Sequence, residues 1–318
     1  MTQLCAPVKK LVSTKEVHLQ EIERGTHKEL YHNEELLYVD TDWRSPPFQS
    51  RAKTIISYHN FQETPELDPI LHQLQTRHPK AYFYKIATYA QSTLDSLRML
   101  DFLSHHKNVI GLCMGPLGSI TRILAPIFEV PITYAPLSDK EISAPGQIVA
   151  KDLHAIYHFS RLNPQTDIYG LIGDPIDQSP GHLLHNLAFR HQNAVYVKMR
   201  LKPAELEDFL ALAKKLPFKG LSVTMPLKEL VLPKRGPINT LVFQNGQLTG
   251  YNTDGLAVSE LLGPTLGKTV CLLGAGGTAK AIIQTLDADI VVVNRTPSKA
   301  KLLAQTLGCR WSLKPPRY

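Results

Sequence analysis

The sequence predicts an α/β chain whose last part is a strand–helix–strand unit, and three observations predict it. Between residues 36 and 136, five runs read as strands: LLYVD, TIISYH, YFYKIA, VIGLCMG and ITYAP. Each is rich in β-branched, aromatic or aliphatic residues. Nearer the C-terminus, KTVCLLGAGG is a β-branched strand running into glycines, TAKAIIQTL reads as a helix, and DIVVVNRT reads as a second strand. The length of 318 residues fits two domains, and 43% hydrophobic with 20% charged residues is ordinary for a globular chain.

In chain order, residues 1–35 come first. The stretch STKEVHLQEIERGTHKELYHNEE is polar, with room for one helix. His59 closes the run TIISYH. Lys85 is the one charged residue inside AYFYKIATYA, residues 81–90. Central parallel strands are near-continuous apolar runs, so a lysine there is rarely buried without a task. Burial destabilises an ammonium group and turns an amine into a nucleophile near neutral pH. Taken alone, Lys85 reads more simply as a strand-end lysine snorkelling to water. It is not alone, because VIGLCMGPLGSITR and SAPGQ follow it.

In that order these motifs resemble type I 3-dehydroquinate dehydratase, a Schiff-base (β/α)8-barrel family. The resemblance implies Lys85 as the imine former and His59 as general acid/base. It implies Arg122 as partner of the substrate carboxylate, with Ser143 and Gln147 on the substrate hydroxyls. A barrel needs eight strands. The first three units have no counterpart here, so the resemblance implies a partial barrel over residues 1–160. Asp40 and Asp42 match the two acids of a later family motif, I-D-x-E. The polar, Pro-containing segment FSRLNPQTD, residues 159–167, reads as a short linker.

A second constellation starts at Asp167 and runs through GLIGDPIDQSPGHLLHN, GLSVTMPLK, GPINT and GYNTDG. It resembles shikimate dehydrogenase. The resemblance implies Lys228 and Asp254 as the catalytic pair, Thr224 and Asn239 on ring hydroxyls, and Ser179 on the carboxylate. Together the two halves resemble bifunctional dehydratase–dehydrogenase chains over residues 36 to 308. They imply an α/β substrate domain over 167–262 and a partial Rossmann NADP-binding domain over 263–318. Two departures stand out. Only ELVLPKRGPI separates Lys228 from Asn239, a shortening that threatens to move Lys228 away from Asp254. After NRTPSKAKLLAQTLGC the ending RWSLKPPRY is Pro-rich and unlike the family.

The nucleotide loop can be read physically. Gly274, Gly276 and Ala279 fit G-x-G-x-x-G/A, with Ala275, Gly277 and Thr278 completing the turn. The first glycine permits the tight turn, the second lets pyrophosphate reach the backbone, and Ala279 permits close packing. The helix start supplies free N–H groups and a positive dipole end. The next strand ends Asn294-Arg295-Thr296, with Lys299 one turn on. An acid there would hold a ribose 2′-OH, whereas arginine accommodates a 2′-phosphate, so NADP is expected over NAD.

Composition excludes little else. A formal charge of +7 comes without a basic block, so small anionic substrates are expected as partners rather than nucleic acid. Four scattered cysteines suit a reducing cytoplasm. No apolar run is long enough to span a membrane. His182 and His185 lie three apart without a third ligand at suitable spacing, so no metal is expected. Quinate in place of shikimate, or a non-catalytic, metabolite-sensing or truncated descendant, are the alternatives.

Overall fold

The computed structural model describes residues 11–12, 38–46, 52–142, 144–232 and 236–316. The helix expected within residues 1–35 lies outside the described residues, where only the short strand β1 (Leu11–Val12) is placed. The chain forms two units, Met1–Leu171 with Ile176–Phe218, and Ile172–Pro175 with Lys219–Tyr318.

The first unit is built on four parallel strands, β2 (Tyr38–Asp42), β3 (Lys53–His59), β4 (Phe83–Tyr89) and β5 (Val109–Met114), in spatial order 2-3-4-5. Parallel neighbours need crossovers. Helix α1 (Leu67–Arg77) joins β3 to β4, burying Leu67, Ile70, Leu71 and Leu74 on one face. Helix α2 (Thr93–His105) joins β4 to β5 and starts in a capping box of Ser92 and Asp95. Each strand joins beside its predecessor, as in a winding (β/α) barrel. A short helix, α3 (Ser119–Ile123), follows β5.

The fifth predicted strand differs. Only Thr133–Tyr134 is extended, as β6, and it pairs antiparallel with β1 rather than joining the parallel sheet. Pro131 and Pro136 flank the run and lack the N–H a longer ladder needs.

The expected linker differs too. Helix α4 (Ala150–Ala155) leads into a helical turn over Phe159–Arg161, where Phe159 is fully buried. Buried Thr166 donates to Asn193 Oδ1 at 2.6 Å and accepts from the Asn163 N–H. The segment mixes buried Phe159, Leu162 and Thr166 with exposed Ser160, Arg161 and Gln165, so it packs on one side and faces water on the other. The unit then continues through β7 (Asp167–Gly173), of which Ile172 and Gly173 count with the second unit, and through α5 (Gly181–Ala188), β8 (Ala194–Arg200) and α6 (Leu206–Ala213). Strands β7 and β8 are neighbours. Thr93 at the start of α2 donates to the Arg200 carbonyl at the end of β8, 2.5 Å away.

In the second unit β9 (Phe218–Val223), β10 (Thr240–Gln244) and β11 (Gln247–Tyr251) form an antiparallel meander. Asn245 and Gly246, both at positive φ, make its tight hairpin turn. Helix α7 (Asp254–Leu262) leads to a parallel βαβαβ unit: β12 (Thr269–Leu273), α8 (Gly277–Thr285), β13 (Asp289–Val293), α9 (Pro297–Leu307) and β14 (Arg310–Trp311). Its core holds Ala279, Ile282, Ile290, Val292, Ala300 and Leu303. The unfamiliar ending thus supplies a third parallel strand. Among the described residues no helix is long and apolar enough to cross a membrane.

Candidate active sites

Register places the first site. Ser57 of β3 lies opposite Asp42 of β2 and opposite Lys85 of β4, and His59 lies opposite Ala87. In-register neighbours share a face, and residues two apart on a strand share it too. Asp40, Asp42, Ser57, His59 and Lys85 therefore project from one side of the sheet. Lys85 is 3% exposed, and its Nζ donates to Asp40 Oδ2 at 2.8 Å. Ser57 Oγ donates to the other oxygen of the same carboxylate. The ammonium also stands 4.3 Å over the ring of Tyr134.

Arg122, on α3, is buried and reaches the same residue, with Nη1 donating to the Tyr134 carbonyl at 3.3 Å. Among the described residues its Nε has no hydrogen-bond partner. Burial lowers its pKa to about 10. A guanidinium held that deep with an unused N–H is suited to a carboxylate ligand. His59 is half-buried at the strand end and stacks on Phe61, with ring centroids 5.9 Å apart.

The loop carrying S-A-P-G-Q lies against the end of β5. The Gly115 N–H donates to the Pro145 carbonyl at 2.9 Å, and Gln147 Oε1 accepts from the Ala144 N–H. Gly146 has φ +77°, and a Cβ there would lie 2.0 Å from the Gly115 oxygen. Ser143 lies outside the described residues.

In the second unit the shortened segment has not separated the expected pair. Lys228 Nζ donates to Asp254 Oδ2 at 2.5 Å. Asn239 Nδ2 donates to Oδ1 of that carboxylate at 2.8 Å, and Thr278 Oγ1 donates to Oδ2 at 2.9 Å. Burial pushes the Asp254 pKa up, but hydrogen bonds from Lys228, Asn239 and Thr278 outweigh it and hold the carboxyl below its usual value. Asn252 caps the start of α7, its Oδ1 accepting from the Asp254 N–H. Thr224 is half-buried, and its N–H donates to the Ile172 carbonyl at the end of β7. Ser179 belongs to the first unit, where its Oγ accepts from the Gly181 N–H at the start of α5.

The glycine loop has the shape a dinucleotide needs. Gly274 sits at φ +131°, which side chains avoid. Among the described residues, its chain neighbours aside, no atom lies within 4 Å of a Cβ built at Gly276, so the backbone is open to a close-lying phosphate. Ala279 is buried in the helix–sheet core, while Ala275 packs partly against it. Asn294 donates to the Thr296 carbonyl, and Arg295 and Lys299 are exposed beyond β13. These residues fit a phosphorylated dinucleotide.

Comparisons with known proteins agree with this reading. Residues 29–164 match type I 3-dehydroquinase, and residues 171–237 match the shikimate dehydrogenase substrate binding domain. The chain joins a type I 3-dehydroquinase domain to a shikimate dehydrogenase domain. The shikimate biosynthesis protein AroDE of Chlamydia pneumoniae is 37% identical over 80% of this chain and 57% of its own length. The bifunctional, chloroplastic 3-dehydroquinate dehydratase/shikimate dehydrogenase of Arabidopsis thaliana is 35% identical over 81% of this chain and 48% of its own. The shikimate dehydrogenase (NADP(+)) of Thermococcus kodakarensis is 40% identical over 44% of this chain and 57% of its own. The chain thus spans about half the length of the curated relatives it matches.

Sequence reasoning undervalued two groups. The resemblance makes Asp40 only a motif acid, yet it is the buried partner of Lys85, and Ser57 donates to its other oxygen. The alternation of polar residues along β2 and β3 was the available signal. In the dehydrogenase domain, Thr278 was assigned to the nucleotide alone, yet it also contacts Lys228 and Asp254. No sequence spacing joins residues that far apart. Asn186, next to His185, is buried and exchanges two 2.8 Å hydrogen bonds with the Tyr196 backbone, tying α5 to β8.

Proposed function

We propose that this chain catalyses two consecutive steps toward aromatic amino acids: dehydration of 3-dehydroquinate to 3-dehydroshikimate, and NADPH-dependent reduction of that product to shikimate. A cytoplasmic location and small-molecule partners belong to the same reading. The observation that carries it is the survival of two lysine–carboxylate pairs, Lys85 with Asp40 and Lys228 with Asp254, in two different units.

In the first step the Lys85 ammonium passes a proton to Asp40, the freed amine attacks the substrate ketone, and that proton returns as water leaves, forming a protonated imine. The imine draws electrons from the adjacent C–H, and His59 takes that proton. His59 returns it to the departing hydroxyl, which leaves as water. Hydrolysis then frees Lys85. Asp40 offsets the positive charge on the nitrogen throughout, and Arg122 receives the substrate carboxylate.

In the second step the glycine loop would hold NADPH and Arg295 would receive its 2′-phosphate; the bound cofactor would supply a hydride. Lys228 delivers a proton to the forming alkoxide, and Asp254 holds the ammonium in place. Asn239 fixes the far oxygen of Asp254 and, with Thr224, faces the ring hydroxyls.

The test is product analysis after incubating the full chain with 3-dehydroquinate and NADPH. Shikimate is the expected product. Quinate would replace the second step with a different one, and no turnover by folded protein would overturn the proposal. Borohydride added with 3-dehydroquinate alone is expected to leave a mass adduct on Lys85.

A further inference from the structure

We propose that Thr278 is a positioning residue for the Lys228–Asp254 pair, holding the proton donor in place from the first turn of the nucleotide-binding helix. This rests on the dehydrogenase reading above. Lys228 Nζ donates to Thr278 Oγ1 at 3.1 Å, Thr278 Oγ1 donates to Asp254 Oδ2 at 2.9 Å, and Nζ donates to the same Oδ2 at 2.5 Å. The three groups close a ring. A hydroxyl has one proton, and here the carboxylate takes it, so the hydroxyl lone pair receives the ammonium. Two of the three N–H bonds of Lys228 are thereby oriented, and the third is left to aim at a substrate oxygen.

The contact is built into the fold rather than made by a passing side chain. Thr278 is the second residue of α8, and the backbone approaches closely there. A Cβ placed on Gly277 would lie 3.3 Å from the Lys228 Cβ. A second link runs one turn on, where Lys280 pairs with Glu229, the neighbour of Lys228. The turn that offers N–H groups to the pyrophosphate therefore also sets the rotamer of the proton donor. Side-chain freedom of lysine is large, so fixing it favours reaction geometry.

The test uses Thr278→Val, which keeps shape and loses the hydroxyl, and Thr278→Ser, which keeps the hydroxyl, both in the full chain. Three quantities are read: kcat for 3-dehydroshikimate at saturating NADPH, the NADPH Kd, and the Asp254 carboxyl titration by carbon NMR, assigned with Asp254→Asn. Thr278→Val is expected to lower kcat about tenfold, the weight of one charge-assisted hydrogen bond. Its NADPH Kd stays within about twofold, and the Asp254 titration moves up because a donor to the charged form is gone. Thr278→Ser restores both. A weakened NADPH Kd with unchanged kcat would overturn the proposal and make Thr278 a nucleotide contact only. If the wild-type chain reduces nothing, the dehydrogenase reading fails, and the titration still decides: an unmoved Asp254 in Thr278→Val overturns the placement of the hydroxyl.

Discussion

Lys85 and Asp40 are each almost wholly buried, and neither is tolerable without the other. Breaking a buried pair by removing one partner leaves an uncompensated charge, which costs about 3–5 kcal/mol. Asp40→Asn is therefore expected to lower denaturant stability by that order and to abolish dehydration. The double variant Asp40→Leu with Lys85→Met should recover most of the stability and none of the activity. Equal stability of the wild type and Asp40→Asn would show that the pair carries no such weight. Arg122 presents the opposite case. It is a buried cation whose best partner is a ligand, so its present cost falls on the fold. Arg122→Met is expected to raise the melting temperature, by on the order of 1 kcal/mol of stability. The same change should raise KM for 3-dehydroquinate about 30-fold or more, as loss of a buried carboxylate partner does. A stable variant with unchanged KM would remove Arg122 from the site. The lysines, His59 and Arg122 were legible as residue types in motif order. Asp40 was legible only as an acid, because the register that brings it beneath Lys85 is a property of three strands together.

Elements show where legibility ends. The four parallel strands and the helix of the glycine loop could be read from apolar runs and their punctuation, since burial on both faces writes itself into composition. The strand at Arg310–Trp311 could not, because two exposed residues beside a Pro-rich tail carry no periodicity and pair only because β13 is there. The segment 159–167 reads as a linker because Ser160, Arg161, Pro164 and Gln165 are exposed, while the hydrogen bonds of buried Thr166 with Asn163 and Asn193 leave no trace in sequence spacing. The S-A-P-G-Q loop gives an element-scale prediction. Gly146 combines a left-handed φ with contact against the Gly115 backbone, which cannot move aside as a side chain would. Gly146→Ala is expected to cost about 1–3 kcal/mol locally, through strain at that position. The loop should lift from β5, and kcat/KM for dehydration should fall about tenfold while the rate of 3-dehydroshikimate reduction holds. Limited proteolysis should cut the variant faster within residues 142–149. An unaltered dehydration rate would mean that the loop takes no part in closing over substrate.

At the scale of the whole molecule, the two proposed chemistries make different demands of one chain. Imine formation needs a dry amine beside a carboxylate, and Lys85 is set within a parallel sheet to provide that. Ketone reduction needs a proton donor open to a mobile cofactor and a substrate, and the Lys228 side chain is 15% exposed beside a glycine loop. The groups proposed for each reaction hydrogen-bond within their own unit, so inactivating one should leave the other intact. Given 3-dehydroquinate and NADPH, Lys228→Ala is expected to accumulate 3-dehydroshikimate without oxidising NADPH. Under the same conditions Lys85→Ala should leave 3-dehydroquinate untouched, yet reduce added 3-dehydroshikimate at the wild-type rate. Mixing the two variants in equal amounts should restore shikimate production, because the intermediate can diffuse from one to the other. Loss of both activities in either variant, with the fold intact by circular dichroism, would refute the assignment of two separate sites. It would instead require the lysines to serve one common chemistry.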